Sequence, residues 1–342
     1  MARSAAPALT IRTLRPADLD PLRWVIYRAY FDVLLDLYGG DAAQQYEVRS
    51  LDFMALYLRR NAQGCFVAES EEGTLAGGLF CFVWGEVGWF GSLAVAPEFQ
   101  GQGVGQRLSQ AAVDYLRAQG CRRIGLETWP TLALTKHLYG KLGFVKCEPT
   151  LKLSRGVAEG SGGAVSRAND EWEVTWTGGG DREGLVRGME AVTGVERRMC
   201  AADVNEPRVE MADEVRVAVA GGFAELVVLR DRGGVARACA LVYTRKPSGG
   251  ASWVLDARLM LVGPEEEERV MDGLLAALDG RAVELGCRSV TCDVNVRFER
   301  ALGMMRRRGF RQIYELVRME VPVEGVDLKA RSAKLEFARW AG

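Results

Sequence analysis

Gln100-Gly101-Gln102-Gly103-Val104-Gly105 is the most informative stretch of this chain. An apolar run, Leu93 to Ala96, comes before it, and apolar residues at helical spacing follow it from Val104 to Leu116. The pattern predicts a strand, a glycine-rich turn and a helix. Glycines allow backbone N–H groups to approach a ligand closely, and the start of a helix carries a partial positive charge. We therefore expect this turn to bind a phosphate group.

Two other phosphate-binding loops fit the sequence less well. A dinucleotide fingerprint needs a third glycine at position 106, which is Gln. A P-loop ends in Gly-Lys-Ser/Thr, and no Lys lies between Gln100 and Gln110. A flexible glycine turn without a ligand stays open as an alternative if the loop is taken alone.

Two motifs together resemble the signatures of the GNAT superfamily of N-acetyltransferases. Gln100-x-x-Gly103-x-Gly105, after a Val-x-Pro strand end, resembles the family's acyl-CoA pyrophosphate loop. Tyr139-x-x-x-Gly143-Phe144, at the end of a predicted helix over 132–142, is similar to the second signature. The resemblance implies an α/β fold with a mixed, mostly antiparallel central sheet flanked by helices. It also implies acetyl-CoA as the acyl donor.

The sequence contains a duplication. Gly120-Cys121-Arg122 recurs as Gly286-Cys287-Arg288, and Gly143-Phe144 recurs as Gly309-Phe310, both at an offset of 166 residues. A helix–strand–helix–strand order recurs at the same offset, as in a duplicated α/β domain. We therefore predict two tandem GNAT-like domains, over 9–153 and 172–320. A glycine-rich linker over 154–171 joins them, and a tail over 321–342 follows.

The second copy has lost the features that the resemblance makes functional. The offset of 166 places the glycine loop on an acidic run, Glu265 to Glu268, and places Tyr139 on Met305. Carboxylates suit the start of a helix, but they would repel a pyrophosphate. We expect the second domain to be non-catalytic. It either shapes the acceptor site, mediates formation of a homodimer or stabilises the first domain.

The resemblance assigns donor-binding roles to the first domain. The strand before the loop, over 88–96, is expected to bulge, to present one backbone N–H to the thioester carbonyl and to pair with the pantetheine arm. The loop amides from Gln102 to Gln106 are expected to hold the pyrophosphate. The expected donor-binding residues are Leu93, Ala94, Val95, Gln100, Gly101, Gln102, Gly103, Val104, Gly105 and Gln106.

The same resemblance suggests an acid and a base. Tyr139 is the expected acid for the leaving thiolate, because a phenol has a pKa near 10 and a thiol one near 8.5. Glu127, in Leu-Glu-Thr on the strand before the tyrosine helix, is the expected base. Glu86 is the second candidate, and a water chain without a dedicated base stays open. Leu132 and Thr135 depart from the family pattern, which has Asn and a small residue there.

The acceptor is less well defined by the sequence. Helices over about 16–60 are expected to build its pocket. They carry aromatic residues that we expect to be mostly core, namely Trp24, Tyr27, Tyr30, Phe31, Tyr38, Tyr46, Phe53 and Tyr57. They also carry Asp32, Asp36, Asp41, Glu47 and Asp52. An aromatic and acidic pocket would suit a cationic amine, and a solvated acidic face explains the same residues. A primary amine of a small molecule or peptide is the expected acceptor, and a non-catalytic acyl-CoA sensor or scaffold is the competing function.

Composition excludes several other classes of protein. The 342 residues carry 44 Lys and Arg against 45 Asp and Glu, so the net charge of −1 argues against nucleic acid as a partner. No apolar stretch reaches the length of a membrane span, and residues 1–9 do not resemble a signal peptide. Eight scattered Cys and the single His137, expected at a surface or rim, predict no metal site. A reducing cytoplasm is the expected location.

Overall fold

The computed structural model describes residues 9–130, 133–157, 171–202, 207–264, 267–323 and 336–338. The helices in these ranges are α1 (Leu19–Tyr38), α2 (Gly40–Gln44), α3 (Leu51–Asn61), α4 (Val104–Ala118), α5 (Ala133–Lys141), α6 (Arg182–Ala202), α7 (Ala212–Ala220), α8 (Glu267–Glu284) and α9 (Glu299–Arg307). The strands are β1 (Leu9–Thr13), β2 (Cys65–Ser70), β3 (Leu75–Trp84), β4 (Val87–Val95), β5 (Arg123–Thr128), β6 (Val145–Lys146), β7 (Thr150–Gly156), β8 (Glu173–Thr177), β9 (Ala224–Arg230), β10 (Ala236–Arg245), β11 (Ala251–Val262), β12 (Ser289–Asn295), β13 (Arg311–Val321) and β14 (Glu336–Ala338).

The duplication found in the sequence recurs in the backbone. The bounds of α5 and α9 differ by 166 residues at both ends, and α4 and α8 end at equivalent positions. Helices α5 and α9 are each followed by a glycine in the left-handed region, with φ of 82° at Gly143 and 84° at Gly309. The strand–helix–strand–helix order is therefore the same in the two halves.

The strands of both halves form one continuous sheet. Its order is β1-β2-β3-β4-β5-β13-β7-β12-β11-β10-β9-β8, with β6 beside β13 and β14 beside β11. Among the strand pairs that the structure describes, β4 with β5 and β11 with β12 are parallel, and the others are antiparallel. The predicted mixed, mostly antiparallel sheet is confirmed, with one difference: the two sheets join edge to edge.

At that junction, the halves exchange a strand. β13, from the second half of the sequence, pairs with β5 of the first, and β7, from the first half, pairs with β12 of the second. Under the offset of 166, β7 falls on the end of β13, so equivalent strands have changed places. Residues 154–156, expected in the linker, belong to β7. Residues 158–170 of that segment lie outside the described residues, and the domain boundaries stay a prediction.

Helices from both halves enclose a shared core. Phe53 of α3 packs edge-on against Phe223, which precedes β9, with ring centroids 5.2 Å apart. The same cluster includes Leu22 and Ile26 of α1, both fully buried, together with Val195 of α6. A core that neither half completes alone fixes the position of α1 and α3, which border the cleft described next.

Candidate active site

The cleft begins where β4 and β5 separate. The two strands pair in parallel only from Val87 to Trp89 of β4, opposite 123–125 of β5, although β4 continues to Val95. Beyond Trp89 the far edge of β4 therefore faces an opening. The expected strand before the loop is present, and it leads directly to the glycine turn.

A β-bulge lies in the part of β4 that faces the opening. Phe80 of β3 pairs with Gly91 and Gly78 pairs with Ala94, so β4 has one residue more than β3 between these pairs. Ser92 has a φ of 52°, which is rare for a residue with a side chain. Arg49 donates a hydrogen bond to the Ser92 Oγ at 2.9 Å and another to the Tyr57 hydroxyl at 3.0 Å. The sequence placed a bulge here, but the role of Arg49 in holding it was not predicted.

The opening is a cleft of about 830 Å³. It brings together the expected Tyr139 and Glu127 with nine of the ten expected donor-binding residues, and Gln102 is the exception. The first half further contributes Ala29, Tyr30, Val33, Leu34, Gln45, Tyr46, Glu47, Arg49, Phe90, Gly91, Ser92, Phe99, Leu126, Thr128, Trp129, His137, Leu138 and Lys141. The second half contributes Lys246, Pro247, Ser248, Arg258 and Leu316.

The glycine turn leaves backbone donors at the start of α4. Gly101 and Gly103 have φ of 73° and 80°, where a side chain would strain the backbone. The first N–H that closes a hydrogen bond into this turn is that of Arg107, to the Gly103 carbonyl at 3.1 Å. No side chain caps this end of the helix. The N–H groups of Val104, Gly105 and Gln106 are therefore available for an anionic ligand.

Two glutamines fix the turn rather than the ligand. The Gln100 side-chain amide donates to the Val95 carbonyl at 3.1 Å, and that of Gln102 donates to the Glu98 carbonyl at 2.9 Å. Gln102 thereby points back along the chain, which explains why it does not line the cleft.

Tyr139 lies in the wall of the cleft, in an apolar surrounding. Its ring packs against Phe90 and Phe144 at centroid distances of 6.2 and 5.8 Å, and the residue is 6% exposed. Burial raises the pKa of Tyr139 above its ordinary value near 10, and the neighbouring Tyr30 adds to the rise. The phenol therefore keeps its proton at neutral pH.

Glu127 lies at the end of β5, in a polar network that reaches into the second half. Its Oε1 accepts a hydrogen bond from the Thr150 hydroxyl of β7. Asn295 of β12 donates in turn to the Thr150 oxygen at 3.1 Å. Arg318 of β13 lies opposite Glu127 in the pairing of β13 with β5. Its guanidinium lies 4.4 Å from the Trp89 ring centroid. Although burial opposes it, the carboxylates of Glu320 and Glu127 raise the pKa of Arg318.

The structure does not bring Glu86 to the cleft. It lies in the turn between β3 and β4, at the opposite end of β4 from the glycine loop. Its carboxylate accepts a hydrogen bond from the Arg208 backbone N–H at 2.9 Å and lies near the Arg122 guanidinium, and these contacts lower its pKa. The structure therefore does not place Glu86, the second candidate base, among the residues that line the cleft.

The acceptor side keeps only part of the expected aromatic and acidic pocket, because Tyr30, Tyr46 and Glu47 line the cleft and the other expected residues with described side chains do not. Phe53 and Tyr57 are core residues, but Trp24 is 47% exposed, and the buried side of α1 is aliphatic. Of the five carboxylates expected there, only Glu47 lines the cleft, and it pairs with Lys246 at 2.9 Å. Asp32, Asp36, Asp41 and Asp52 are exposed elsewhere, on a solvated face. His137 is an exposed rim residue, as expected.

The equivalent position in the second half carries different groups. At the start of α8, Glu268 pairs with Arg307 at 2.7 Å, and Glu267 pairs with Arg300. Met305, equivalent to Tyr139, is fully buried. Glu265 and Glu266 lie outside the described residues, as does Leu132, and nothing is described of the Thr135 side chain.

The described residues form neither a membrane-spanning helix nor a metal-binding group. Among the helices that the structure describes, none is both long enough and apolar enough to cross a lipid bilayer. In the same part of the chain, no group of three His, Cys, Asp or Glu side chains is arranged to hold a metal ion.

Comparison with known proteins agrees with this geometry. Residues 27–144 match the model of the Acetyltransferase (GNAT) family. The streptothricin acetyltransferase of Streptomyces lavendulae is 32% identical over 95 residues, which are 27% of this chain and 50% of that protein. The chain thus spans half the length of this curated relative.

Solved structures extend the likeness to both halves. A candidate acetyltransferase from Pyrococcus horikoshii superposes with a TM-score of 0.61 at 15% identity, over 97% of this chain and 95% of its own. A tandem GNAT protein from the clavulanic acid biosynthesis pathway gives 0.58 at 13% identity, over 92% and 98%. Residues 27–144 thus match a GNAT acetyltransferase domain, and the solved structures show that the fold of the chain is that of two GNAT-like halves in tandem.

Proposed function

We propose that the first half is an acetyl-CoA-dependent N-acetyltransferase that moves the acetyl group directly to a primary amine of a small molecule or peptide. The observation that carries this proposal is the bulged edge of β4, which runs from the mouth of one cleft to the amides at the start of α4. One of the curated relatives is named as the acetyltransferase of streptothricin.

The cleft fits the acyl donor at both ends. Val104, Gly105 and Gln106 offer backbone N–H groups and a helix dipole to a pyrophosphate. Hydrogen bonds to a charged group contribute roughly 1.5–3 kcal/mol each, which is enough for binding without an arginine. Leu93 to Val95 offer a free strand edge to the amides of the pantetheine arm.

The chemistry then needs three groups at the thioester. A backbone N–H at the bulge stabilises the oxygen of the tetrahedral intermediate. Glu127, directly or through a water molecule, accepts the proton that the amine nitrogen loses as it bonds to the carbonyl carbon. As the carbon–sulfur bond breaks, Tyr139 donates its proton to the thiolate. The apolar wall that raises the tyrosine pKa also disfavours a bare thiolate, so the transfer stays feasible.

A thiol-release assay over a panel of amines tests the proposal. Tyr139→Phe and Glu127→Gln should each lower kcat by about 10²–10⁴-fold, because each removes a proton-transfer group. Tyr115→Phe and Glu86→Gln are matched controls, since neither residue lines the cleft, and both should stay near wild-type activity. Undiminished turnover in Tyr139→Phe would remove this residue from the mechanism. Binding of acetyl-CoA without turnover of any amine would favour a sensor instead.

A further inference from the structure

The second half has kept the splayed strand pair that forms the cleft in the first. β11 and β12 pair in parallel only up to Ala257 and Cys292, although both strands continue. A register shift follows at once, because Leu241 of β10 pairs with Leu259 and Val242 pairs with Ala257. The extra residue is Arg258, which is equivalent to Ser92 under the offset of 166. The bulge and the divergence of the strands therefore survive in both halves.

In the second half, the corresponding edge of β11 is paired with another segment of the same chain. β14 pairs antiparallel with β11, matching Ala338 to Leu259, Phe337 to Met260 and Glu336 to Leu261. Leu259 to Leu261 are the equivalents of Leu93 to Val95, the residues of the first half whose edge faces the cleft. The same three positions thus face a cleft in one half and a peptide strand in the other.

We infer that the splayed strand pair of the second half is a peptide-binding groove, whose occupant is the 336–338 segment of the same chain. The segment lies where the first half would take the pantetheine arm of the donor, and this part of the inference rests on the proposed function. Both occupants are extended chains with amide groups, which a free strand edge recognises through main-chain hydrogen bonds.

The groups around this groove favour a peptide over acyl-CoA. At the start of α8, Glu267 and Glu268 stand where the first half has Gly101 and Gln102 of the glycine turn, and they are paired with Arg300 and Arg307. The phosphate end of the site is therefore lost, while the strand edge is kept. Covalent attachment gives the segment an effective concentration of the order of millimolar, so weak strand pairing is enough to fill the groove.

Hydrogen exchange of the full-length protein tests the occupant without any substitution. Backbone amides at 259–261 should exchange about tenfold or more slowly than those at 93–95 when no ligand is present. Saturating acetyl-CoA should slow exchange at 93–95 and leave 259–261 unchanged. Slowing at 259–261 by acetyl-CoA would overturn the inference, whereas failure to slow 93–95 would count against the proposed function alone.

A pair of variants tests the strand pairing itself. Adjacent residues of a strand point their N–H groups to opposite sides, so Phe337→Pro with Ala338→Pro removes an N–H that faces β11. Exchange at 259–261 should then rise about tenfold or more. Phe337→Val with Ala338→Val keeps both donors and should match wild type. Equal exchange in all three proteins would overturn the inference, and the substitution-free comparison decides it if the proline variant does not fold.

A synthetic peptide tests whether the groove binds the segment when it is supplied separately. Added to the proline variant, a peptide with the sequence of residues 330–342 should restore slow exchange at 259–261 with a stoichiometry of one per chain. Dimerisation of the wild-type protein that disappears in the proline variant would contradict an intramolecular occupant, because it would show that the segment pairs with a second copy.

Discussion

The starts of α4 and α8 differ more than any other equivalent positions described above. One begins at a turn with left-handed glycines and backbone donors facing a cleft, and the other begins with carboxylates that arginines neutralise. The two helices nevertheless end at equivalent residues and bury equivalent apolar positions, among them Leu108 and Leu274. The fold therefore does not require the glycines, which supports the proposed role of the first turn in binding a ligand.

The bulged strands β4 and β11 are a second pair of equivalent elements that share a framework and differ in detail. Each half has a bulged strand that diverges from its parallel neighbour. Only the bulge at Ser92 uses a left-handed backbone, among the non-glycine residues that the structure describes, and Arg49 holds it there. Strain of this kind, about 1–3 kcal/mol, persists where the surroundings enforce it and is frequent at functional sites.

The largest effect is expected when the glycine turn of the first half receives the acidic residues of the equivalent turn in the second half. Gly101→Glu with Gln102→Glu copies Glu267 and Glu268 and should weaken acetyl-CoA binding about 100-fold or more, because like charges repel by several kcal/mol. Calorimetry measures the change. Gly101→Gln is the matched control, since it carries the same backbone strain without the charge. Equal losses in both would mean that conformation, and not charge, decides binding.

A second change tests whether the second half supports the base of the first. Thr150→Val removes the hydroxyl that links Asn295 to Glu127 and should lower kcat about tenfold, with KM for acetyl-CoA unchanged. Thr150→Ser should restore most of the rate. Thr291→Val is the control, because this buried hydroxyl donates to Asp256, outside the cleft. An unchanged kcat in Thr150→Val would show that the hydrogen bonds from Asn295 through Thr150 to Glu127 do not contribute to catalysis.

The pH dependence of kcat/KM tests Tyr139 as the proton donor, a role that its equivalent Met305 cannot have. Burial raises the tyrosine pKa above 10, so the proton-donating form is complete at lower pH and is lost only as pH rises through that raised value. We therefore expect no fall in kcat/KM from Tyr139 between pH 6 and 10. A falling limb with a midpoint below 10 that disappears in Tyr139→Phe would contradict this expectation.

The smallest effect is expected where the halves meet at the mouth of the cleft. Lys246 and Glu47 are both substantially exposed, so Lys246→Met should change the free energy of unfolding by less than about 1 kcal/mol. Its effect should instead appear in KM for the amine. Glu47→Gln should give a similar change, and the double variant should not add to it. Additive changes would show that the two residues act separately.

The sequence predicted those features that depend on local pattern. The end of α5 at the Gly143-Phe144 motif, and the repetition of that motif at Gly309-Phe310, follow from residue type and spacing. Strand exchange could not be predicted in this way, because β7 and the end of β13 are equivalent and satisfy the same neighbours. The contact of Arg49 with Ser92 spans 43 residues and that of Asn295 with Thr150 spans 145, so neither leaves a local signal. The sequence did not indicate that Glu86 lies away from the cleft, because a one-dimensional motif does not say which end of β4 borders it.

The exchange of β7 and β13 also has a consequence for biosynthesis. The native partner of the sheet edge at β5 is absent until the ribosome has added β13, which ends at Val321. At about 5–20 residues per second, that delay is roughly 10–40 s after β5 is made. An unpaired edge strand is a template for aggregation during such an interval. The half that carries the cleft is therefore the first to be translated and among the last to be finished, and a nascent chain released in between would need protection by chaperones.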